Sequence, residues 1–298
     1  MIFQWKFEKA TPQMIKSYVK ELGISKGLLA KIKFQGGRIE VNGIEQNVLY
    51  KLQTDDLLTV QIPDEQEHET LLVDDTPIDV VYEDEHLLVV NKPAGVASIP
   101  AQYHPNGTMA NRVKGYLKQK NEPNLVIHIV TRLDRGTSGL MLFAKHGFSH
   151  ALLDVELRTK KVTKMYQALV SGELEKLATS GEIIAPITRD LSSLLKRKVD
   201  ESGKHAHTDY WVERRSEKVA LVNIQLHTGR THQIRVHFEH LGFPLLGDEM
   251  YAGAMDFGMA RQALHCRKLA FIHPFSREEM VFLAELPEDM CKIVEKMN

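Results

Sequence analysis

The spacing of apolar residues divides the chain into a small N-terminal module, a polar segment and a long series of predicted strands. Residues 14–22 carry apolar side chains at helical intervals, and Ser25 is a suitable N-cap for a second helix. Residues 38–43 alternate as a strand that runs into an Asn-Gly turn, and residues 57–62 alternate as a closing strand. The pattern therefore predicts a small α/β module over residues 1–62.

The segment that follows this module is polar. Residues 63–77 are acidic and hold few apolar side chains, so we interpret them as a linker that forms no core. From residue 78 to residue 298, short apolar runs and stretches of helical spacing predict a larger α+β domain. The predicted strands are 78–82, 87–90, 126–130, 139–144, 164–170, 207–214 and 220–226. The predicted helices are 108–118, 148–157, one that begins near residue 231, and 287–297.

The overall composition is that of an ordinary globular protein, with 43% hydrophobic and 26% charged residues. There is no run of 18 apolar residues and no charged-then-apolar leader, so we expect neither a membrane span nor a secretory signal. The two cysteines, Cys266 and Cys291, lack metal-ligand spacing and suggest no disulfide framework. These features fit the reducing cytoplasm, and we also expect the protein to be a monomer.

The charges are distributed unevenly along the chain. The net charge of −1 is low for a protein that binds nucleic acid, but it is the sum of +3 on residues 1–62, −10 on residues 63–90 and +6 on residues 91–298. Two basic segments thus flank a short acidic one. A positive face that binds RNA is compatible with this distribution.

One carboxylate lies in an unusual place. Asp134 falls between two predicted strands, in a segment that crowds five hydrogen-bonding side chains into seven residues, namely Arg132, Asp134, Arg135, Thr137 and Ser138. Loops held by rigid strands often carry catalytic groups. The alternative is a surface turn in which the Asp caps local amides and pairs with a neighbouring arginine.

The sequence Arg-Leu-Asp-Arg-Gly-Thr-Ser-Gly-Leu at residues 132–140 closely resembles the catalytic motif of the RluA-type pseudouridine synthases. Further matches follow in the family's order at residues 91–95, 181–189, 226–235, 242–251 and 262–274, so that the resemblance spans residues 78–285. It implies the pseudouridine synthase fold, in which helices and loops flank a central mixed, largely antiparallel sheet. The family more often has His at the position of Thr131.

The resemblance assigns roles to individual residues. Asp134 would be the single essential carboxylate, and Tyr166 would lie against the target base, with its hydroxyl serving in hydrogen bonding or proton transfer. Asp134, Tyr166 and Arg230 are the residues predicted to be catalytic. We expect Arg230 to pair with Asp134, because a nearby guanidinium favours the ionised carboxylate and fixes its direction. Arg132 would enter the space that the target base leaves. The other residues predicted to bind substrate are Lys92, Arg135, Thr137, Ser138, Leu226 and Arg235.

Several of these residues have structural alternatives. Tyr166 in an alternating strand is also common packing, and Lys92 can belong to a structural Lys-Pro turn. Four cations follow the helix predicted at 148–157, namely Arg158, Lys160, Lys161 and Lys164. They are either a phosphate track or a solvated turn.

The N-terminal module carries a resemblance of its own. Two predicted helices followed by Gly-Arg-Ile-Glu-Val-Asn-Gly at residues 37–43 resemble the alpha-L RNA-binding module first described in ribosomal small-subunit protein four. The resemblance implies phosphate contacts, which position RNA without reading its sequence. The residues predicted to make them are Lys26, Lys31, Lys33 and Arg38. The alternative is a solvated basic face on a small domain.

The fourteen histidines invite a metal interpretation, above all His227, His232 and His237. His232 and His237 differ by five positions, which turns them about 140° apart on a helix, and no carboxylate completes a triad near them in sequence. We therefore predict no metal site.

The reaction implied by the resemblance converts uridine to pseudouridine, which exchanges no atoms or electrons with a cofactor, so we expect none. It needs a pocket for the base, a group that acts on the substrate and a proton acceptor. An unperturbed Asp has a pKa of about 3.9 and is ionised without an activating base. The target nucleotide must be flipped out of the RNA at a cost of a few kcal/mol.

We predict that the chain isomerises uridine in structured RNA, with large-subunit ribosomal RNA as the favoured substrate and transfer RNA as the alternative. A competing class is a catalytically silent RNA-binding or ribosome-assembly factor. A carboxylate-based hydrolase is a third class, but it needs a second acid at a fixed distance, and no partner motif is evident.

Overall fold

A computed structural model describes residues 1–67, 70–101 and 105–297. Residues 68–69 of the predicted linker, and residues 102–104 and 298 of the predicted catalytic domain, lie outside the described part of the chain. Within it, none of the helices is long and apolar enough to cross a bilayer.

The N-terminal module is a four-stranded sheet covered by two helices and a small strand pair. Its elements are β1 (Ile2–Lys6), β2 (Gln13–Met14), α1 (Ile15–Glu21), α2 (Lys26–Phe34), β3 (Arg38–Val41), β4 (Ile44–Glu45), β5 (Lys51–Leu52) and β6 (Leu57–Gln61). Ser25 caps α2, as predicted, because its hydroxyl accepts a hydrogen bond from the Leu28 amide. The Asn42-Gly43 turn is also confirmed, with positive φ at both residues. The sheet order is β1-β6-β3-β4, so the pattern analysis missed β1, which pairs with β6.

The larger domain contains the remaining regular elements. They are β7 (Asp79–Glu83), β8 (Leu87–Lys92), α3 (Met109–Gln119), β9 (His128–Ile129), β10 (Ser138–Ala144), α4 (Gly147–Arg158), β11 (Thr163–Val170), β12 (Ser180–Ile184), β13 (Ile187–Arg189), β14 (Arg197–Val199), β15 (His207–Arg215), β16 (Ala220–Leu226), α5 (Gln233–His240), β17 (Leu264–Ile272), β18 (Glu279–Leu283) and α6 (Glu288–Val294). Short 3-10 turns occupy Leu174–Lys176 and Glu249–Tyr251.

A ten-stranded sheet forms the centre of this domain. Its main order is β12-β15-β16-β11-β17-β10-β8-β7, with β18 beside β17 and β9 beside β10. Its strand pairs are antiparallel except for β10 and β17, which are parallel. The prediction of an α+β fold with a mixed, largely antiparallel sheet is therefore confirmed.

The parallel pair requires a glycine next to the Asp134 loop. A Cβ at Gly139 would meet the carbonyl oxygen of Cys266 at 2.3 Å, and the φ of Gly139 is +111°. A residue with a side chain is strained in this backbone conformation as well as obstructed. Gly139 thus allows β10 to lie close to β17, where β10 leads out of the loop that holds Asp134.

The strand predicted over residues 126–130 is shorter than expected. Strand β9 covers His128–Ile129, and beyond it the amides of Val130 and Thr131 both donate to the carbonyl oxygen of Leu142 as the chain turns towards the Asp134 loop. There the hydroxyl of Thr131 accepts a hydrogen bond from the Leu142 amide at 2.9 Å and replaces a backbone acceptor. The helix predicted near residue 231 begins instead at Gln233, since His232 has a left-handed φ of 58°.

The two parts of the chain pack against each other through aromatic rings. The Phe3 ring lies 5.1 Å from that of Phe148 on α4 and 5.3 Å from that of Phe275, measured between centroids. Trp5 approaches Phe148 at 6.5 Å. One hydrophobic cluster therefore continues from the N-terminal module into the larger domain.

The described residues of the 63–77 segment form no helix or strand. Glu65 contacts Asn124 and His128, whereas residues 71–75 lie against α3. The Lys114 ammonium contacts the carbonyl oxygen of Leu71 and the carboxylate of Glu67. Gly115 makes this approach possible, because a Cβ there would lie 2.2 Å from the Asp74 carbonyl oxygen.

Candidate active site

Hydrogen bonds from the segment that follows β8 hold the loop that carries Asp134. The Ser98 hydroxyl donates to the carbonyl oxygen of Leu133 at 2.6 Å and accepts from the Leu133 amide at 3.0 Å. The Gly95 amide donates to the carbonyl oxygen of Arg135, and the Arg135 guanidinium donates to the Gly95 carbonyl. The residues on either side of Asp134 are thus fixed to the segment that follows β8.

Lys92 supports the same loop from inside the protein. Its ammonium is fully buried and donates to the carbonyl oxygens of Pro93, Val96 and Arg135 at 2.7–3.1 Å. Burial lowers the pKa of Lys92 to about 7, against the opposing charge of Asp134. Lys92 therefore holds the loop rather than contacting substrate, which corrects its predicted role in substrate binding.

Asp134 itself reaches the surface of a cavity. Its side chain is 29% exposed, and its Oδ2 lies 3.5 Å from the Nη1 of Arg235 on α5. Arg235 is buried and forms a two-pronged pair with Asp248, from Nε at 2.6 Å and from Nη2 at 2.7 Å. The Arg235 fork thus binds Asp248 with two nitrogens and presents the third to Asp134.

Opposing influences act on the charge of Arg235. Burial acts against the charge, but the hydrogen bonds and charge of Asp248, together with the charge of Asp134, outweigh it and raise the pKa of Arg235. The guanidinium also lies over the Tyr251 ring, 4.7 Å from its centroid. Arg235 is therefore a fixed positive charge beside Asp134.

The expectation that Arg230 pairs with Asp134 is wrong in this structure. The Arg230 guanidinium is exposed and donates from Nε to the carbonyl oxygen of His205 at 2.9 Å. Its backbone amide donates to Oε1 of Gln233, which holds the turn before α5. One helical turn later the chain points Arg235 inward, so the second arginine of the same motif is the one that reaches Asp134.

The cavity around Asp134 has a volume of about 550 Å³, which lies in the range of small-ligand sites. Predicted site residues that line it are Arg132, Asp134, Arg135, Thr137, Tyr166, Leu226, Arg230 and Arg235. The structure therefore brings together side chains from the Asp134 loop, β11, β16 and the start of α5. Ser138 is absent from this lining because its hydroxyl is buried 2.9 Å from Nδ1 of His265, which corrects its predicted role in substrate binding.

Tyr166 lines the cavity from β11 and is 5% exposed. Burial raises the pKa of Tyr166 well above its usual 10, and Cys266 and Asp134 act in the same direction. The phenol is therefore neutral at cell pH. It offers a ring face for stacking and a hydroxyl for hydrogen bonding, and not a phenolate base.

Tyr166→Phe is expected to lower turnover about 100-fold, because the hydroxyl is lost from the cavity while the ring keeps its packing. The unfolding temperature should hardly change. Tyr210→Phe is the matched control, since Tyr210 is a tyrosine of the same sheet that is 6% exposed and packs against Phe238. Equal losses of turnover and stability in Tyr166→Phe would favour a packing role instead.

Lys164 lines the cavity, whereas the sequence analysis left open whether it belongs to a phosphate track or to a solvated turn. It lies two positions before Tyr166 on β11 and lines the same cavity, and burial lowers its pKa. Of the other three cations after α4, Lys160 also lines the cavity, and Arg158 pairs with Asp154 on the helix surface. Side chains two positions apart on a strand share a face, so Lys164 lies on the same face as Tyr166. This period could have distinguished Lys164 from the other three cations in the sequence.

The residues predicted to bind RNA in the N-terminal module lie on its surface. Lys26, Lys31 and Lys33 on α2 are exposed, and so is Arg38 at the start of β3. The Arg38 guanidinium lies 3.3 Å from a carboxylate oxygen of Glu40. The three lysines are therefore accessible on the surface of α2, and their role in RNA binding stays a prediction.

The histidines near α5 have partners of different kinds. His237 is buried between the Thr208 hydroxyl and the Ala185 carbonyl oxygen, both 2.9 Å from its ring nitrogens. Nδ1 of His232 lies 2.9 Å from the hydroxyl of Tyr251. His227 instead lies at the carboxylate of Asp209, a grouping that the sequence analysis did not consider.

Comparisons with known proteins identify the family of this chain. A family model described as RNA pseudouridylate synthase matches residues 86–240. An uncharacterised RNA pseudouridine synthase, YjbO of Bacillus subtilis (strain 168), is 45% identical over 284 residues, which cover 95% of this chain and 99% of that protein. The ribosomal large subunit pseudouridine synthase D of Pseudomonas aeruginosa is 38% identical over 232 residues, 73% of this chain and 71% of that protein.

A solved structure supports the fold. Human RNA pseudouridylate synthase domain containing 4 superposes with a TM-score of 0.59 at 22% identity, and the match covers 74% of this chain and 92% of that one. At this level of identity the similarity concerns the fold. With the family model over residues 86–240 and near full-length relatives, the chain belongs to the RNA pseudouridylate synthase family.

Proposed function

We propose that this RNA pseudouridine synthase modifies large-subunit ribosomal RNA and that Asp134 is its catalytic carboxylate. The observation that carries the proposal is the placement of Asp134. Its carboxylate is partly exposed at a cavity of about 550 Å³, beside the ring of Tyr166 and in contact with the Arg235 guanidinium. Such a cavity is large enough for one flipped nucleotide.

The residues around Asp134 have complementary tasks in this proposal. Arg235 places a positive charge beside the carboxylate and fixes the direction of its oxygen, since Asp248 holds the guanidinium in place. Tyr166 presents a face on which the base stacks. Arg132 is exposed at the rim of the cavity, where a long cationic side chain can occupy the space that the flipped base vacates in the RNA. The reaction in this arrangement uses the side chains of the chain itself and needs no cofactor.

The choice of ribosomal RNA rests on the names of relatives. Pseudomonas aeruginosa and Xylella fastidiosa proteins named ribosomal large subunit pseudouridine synthase D are 38% and 35% identical to this chain. Transfer RNA is the alternative substrate. Mapping pseudouridine in all RNA of cells that lack the protein distinguishes ribosomal RNA from transfer RNA as the substrate. Loss of sites in large-subunit ribosomal RNA, restored by the wild-type gene, is the expected result, whereas loss confined to transfer RNA would overturn this choice.

The N-terminal lysines are proposed to bind RNA phosphates. Replacing Lys26, Lys31 and Lys33 by Gln is expected to weaken RNA binding about tenfold at moderate salt and to reduce the slope of log K against log salt by about 2. The fold should be unaffected because all three side chains are exposed.

Binding is measured by fluorescence anisotropy over a series of salt concentrations. The matched control replaces three exposed lysines of the larger domain by Gln, namely Lys176, Lys218 and Lys296. If both triple variants changed the salt slope equally, the N-terminal face would have no special role and the solvated-face interpretation would hold.

A further inference from the structure

Two histidines and one aspartate meet on a face of the central sheet at the ends of β15 and β16. His207 and Asp209 are two positions apart on β15, so their side chains share a face. His227 follows β16 directly, and its amide donates to the carbonyl oxygen of His207 at 3.1 Å. The antiparallel register thus places the three side chains together, although His227 is 18 to 20 positions from the other two in sequence.

The three side chains point their polar atoms at one spot. Nε2 of His207 lies 2.9 Å from Oδ1 of Asp209, and Nε2 of His227 lies 2.6 Å from Oδ2 of the same carboxylate. The two imidazole rings stack with centroids 4.2 Å apart and planes 26° apart. One atom from each residue can be chosen so that all three lie within 4.8 Å of one another.

Hydrogen bonding explains one of the two contacts of Asp209 but not the other. The contact between His227 and Asp209 has hydrogen-bond geometry. Nε2 of His207 and Oδ1 of Asp209 are buried atoms that lack a well-directed hydrogen bond, despite their separation of 2.9 Å. A buried contact between two polar atoms that lacks hydrogen-bond geometry calls for an explanation, and a bound ion is one.

We propose that His207, Asp209 and His227 bind a zinc ion. Two imidazole nitrogens and a carboxylate oxygen suit Zn²⁺ and disfavour Mg²⁺ and Ca²⁺, which take oxygen ligands. Ligand atoms around a tetrahedral zinc ion at about 2.0–2.1 Å lie about 3.3 Å from each other. The contacts of 2.9 Å and 2.6 Å are shorter than this, so the carboxylate and imidazole groups must separate by about 0.4–0.7 Å to admit the ion.

Glu182 on β12 provides the fourth ligand of the proposed site. Its Oε2 lies 3.8 Å from Nε2 of His207, and Glu182 is the register partner of Asp209. With this carboxylate the ion is enclosed by four protein ligands, which is typical of a structural site. The zinc ion joins β12, β15 and the end of β16. Because Gln225, Leu226 and His227 line the cavity of Asp134, the ion stiffens one wall of that cavity.

The proposal is tested by metal binding rather than by turnover. The full-length protein is dialysed against a chelator and titrated with Zn²⁺, while bound zinc is measured by isothermal calorimetry and elemental analysis. Wild type should bind one equivalent, and saturation should raise the unfolding temperature. His227→Ala and Asp209→Asn should each weaken binding at least about 100-fold and abolish the rise in unfolding temperature, and Glu182→Gln should weaken it less.

The matched control is His240→Ala, which removes an exposed histidine at the end of α5 and should leave zinc affinity unchanged. Circular dichroism of the metal-free variants checks that each is folded, and Asp209→Asn keeps the shape of the site if His227→Ala does not fold. A wild type without a saturable equivalent of zinc overturns the proposal. So does equal affinity in wild type, His227→Ala and Asp209→Asn.

Discussion

Asp134→Asn is expected to reduce pseudouridine formation by at least about 1,000-fold and to leave RNA affinity within about twofold of wild type. The amide has the shape of the carboxylate but neither its charge nor its second acceptor oxygen. The fold should survive because Arg235 keeps its two hydrogen bonds to Asp248 when the charge at residue 134 is removed. Turnover is followed by tritium release from RNA whose uridines are tritiated at carbon five, the atom that loses its hydrogen.

Asp154→Asn is the matched control for this experiment. Asp154 is a partly exposed aspartate of α4 whose partner is Arg158 on the same helix, and the loss of such a surface pair has little effect on stability or activity. Normal turnover in Asp134→Asn would refute the assignment of the catalytic carboxylate. A parallel loss of RNA binding would show that Asp134 acts mainly in holding the RNA.

Arg235→Met is expected to have the largest effect on stability. It leaves the Asp248 carboxylate, which is 1% exposed, buried without its counter-charge, and breaking a buried pair in this way costs about 3–5 kcal/mol. Turnover of the folded fraction should also fall by at least about 100-fold, because Asp134 loses the guanidinium that fixes the direction of its carboxylate. Urea unfolding and tritium release measure the two effects separately.

A double variant separates the two tasks of Arg235. Replacing both members of the buried pair, Arg235→Met with Asp248→Leu, removes the uncompensated charge and should recover most of the lost stability. Turnover should stay low, since Asp134 still lacks its cation. Full recovery of turnover in the double variant would show that the effect of Arg235 on catalysis is only through folding.

Arg230→Met distinguishes the two arginines of the motif. Arg230 is exposed and bonded to a backbone carbonyl, so its replacement should change the free energy of unfolding by no more than about 0.5 kcal/mol. A loss of stability as large as that of Arg235→Met would contradict the pairing seen in the structure. A selective loss of turnover would support the catalytic role predicted for Arg230 without requiring a contact with Asp134.

Much of the fold follows from local patterns in the sequence. Ser25 caps α2, Asn42-Gly43 forms a hairpin turn, and the apolar runs at β8 and β10 are buried central strands, as predicted. Each of these features depends on residues close in sequence or on a simple alternation. By contrast, β1 was missed because its five residues are a strand chiefly through pairing with β6, more than 50 positions later.

In the candidate site, too, some features follow from local sequence and others depend on tertiary packing. The motif around Asp134 was recognised from the sequence, as were the elements that bring Tyr166 and the two arginines of the 226–235 motif to one cavity. The choice between Arg230 and Arg235 was wrong, because it depends on the left-handed φ of His232 and on where α5 begins. Which arginine points inward is therefore set by the packing of α5 against the sheet.

The sequence by itself determined the class of fold and singled out Asp134 as the candidate carboxylate, since both are read from short stretches and from periodicity that is local. The tertiary structure decided which cation reaches Asp134, that Lys92 supports the loop from a buried position, and that His207, Asp209 and His227 share one face. These contacts join residues through strand register and helix orientation. Register and orientation are fixed when distant apolar faces are buried together, which no short stretch of sequence specifies.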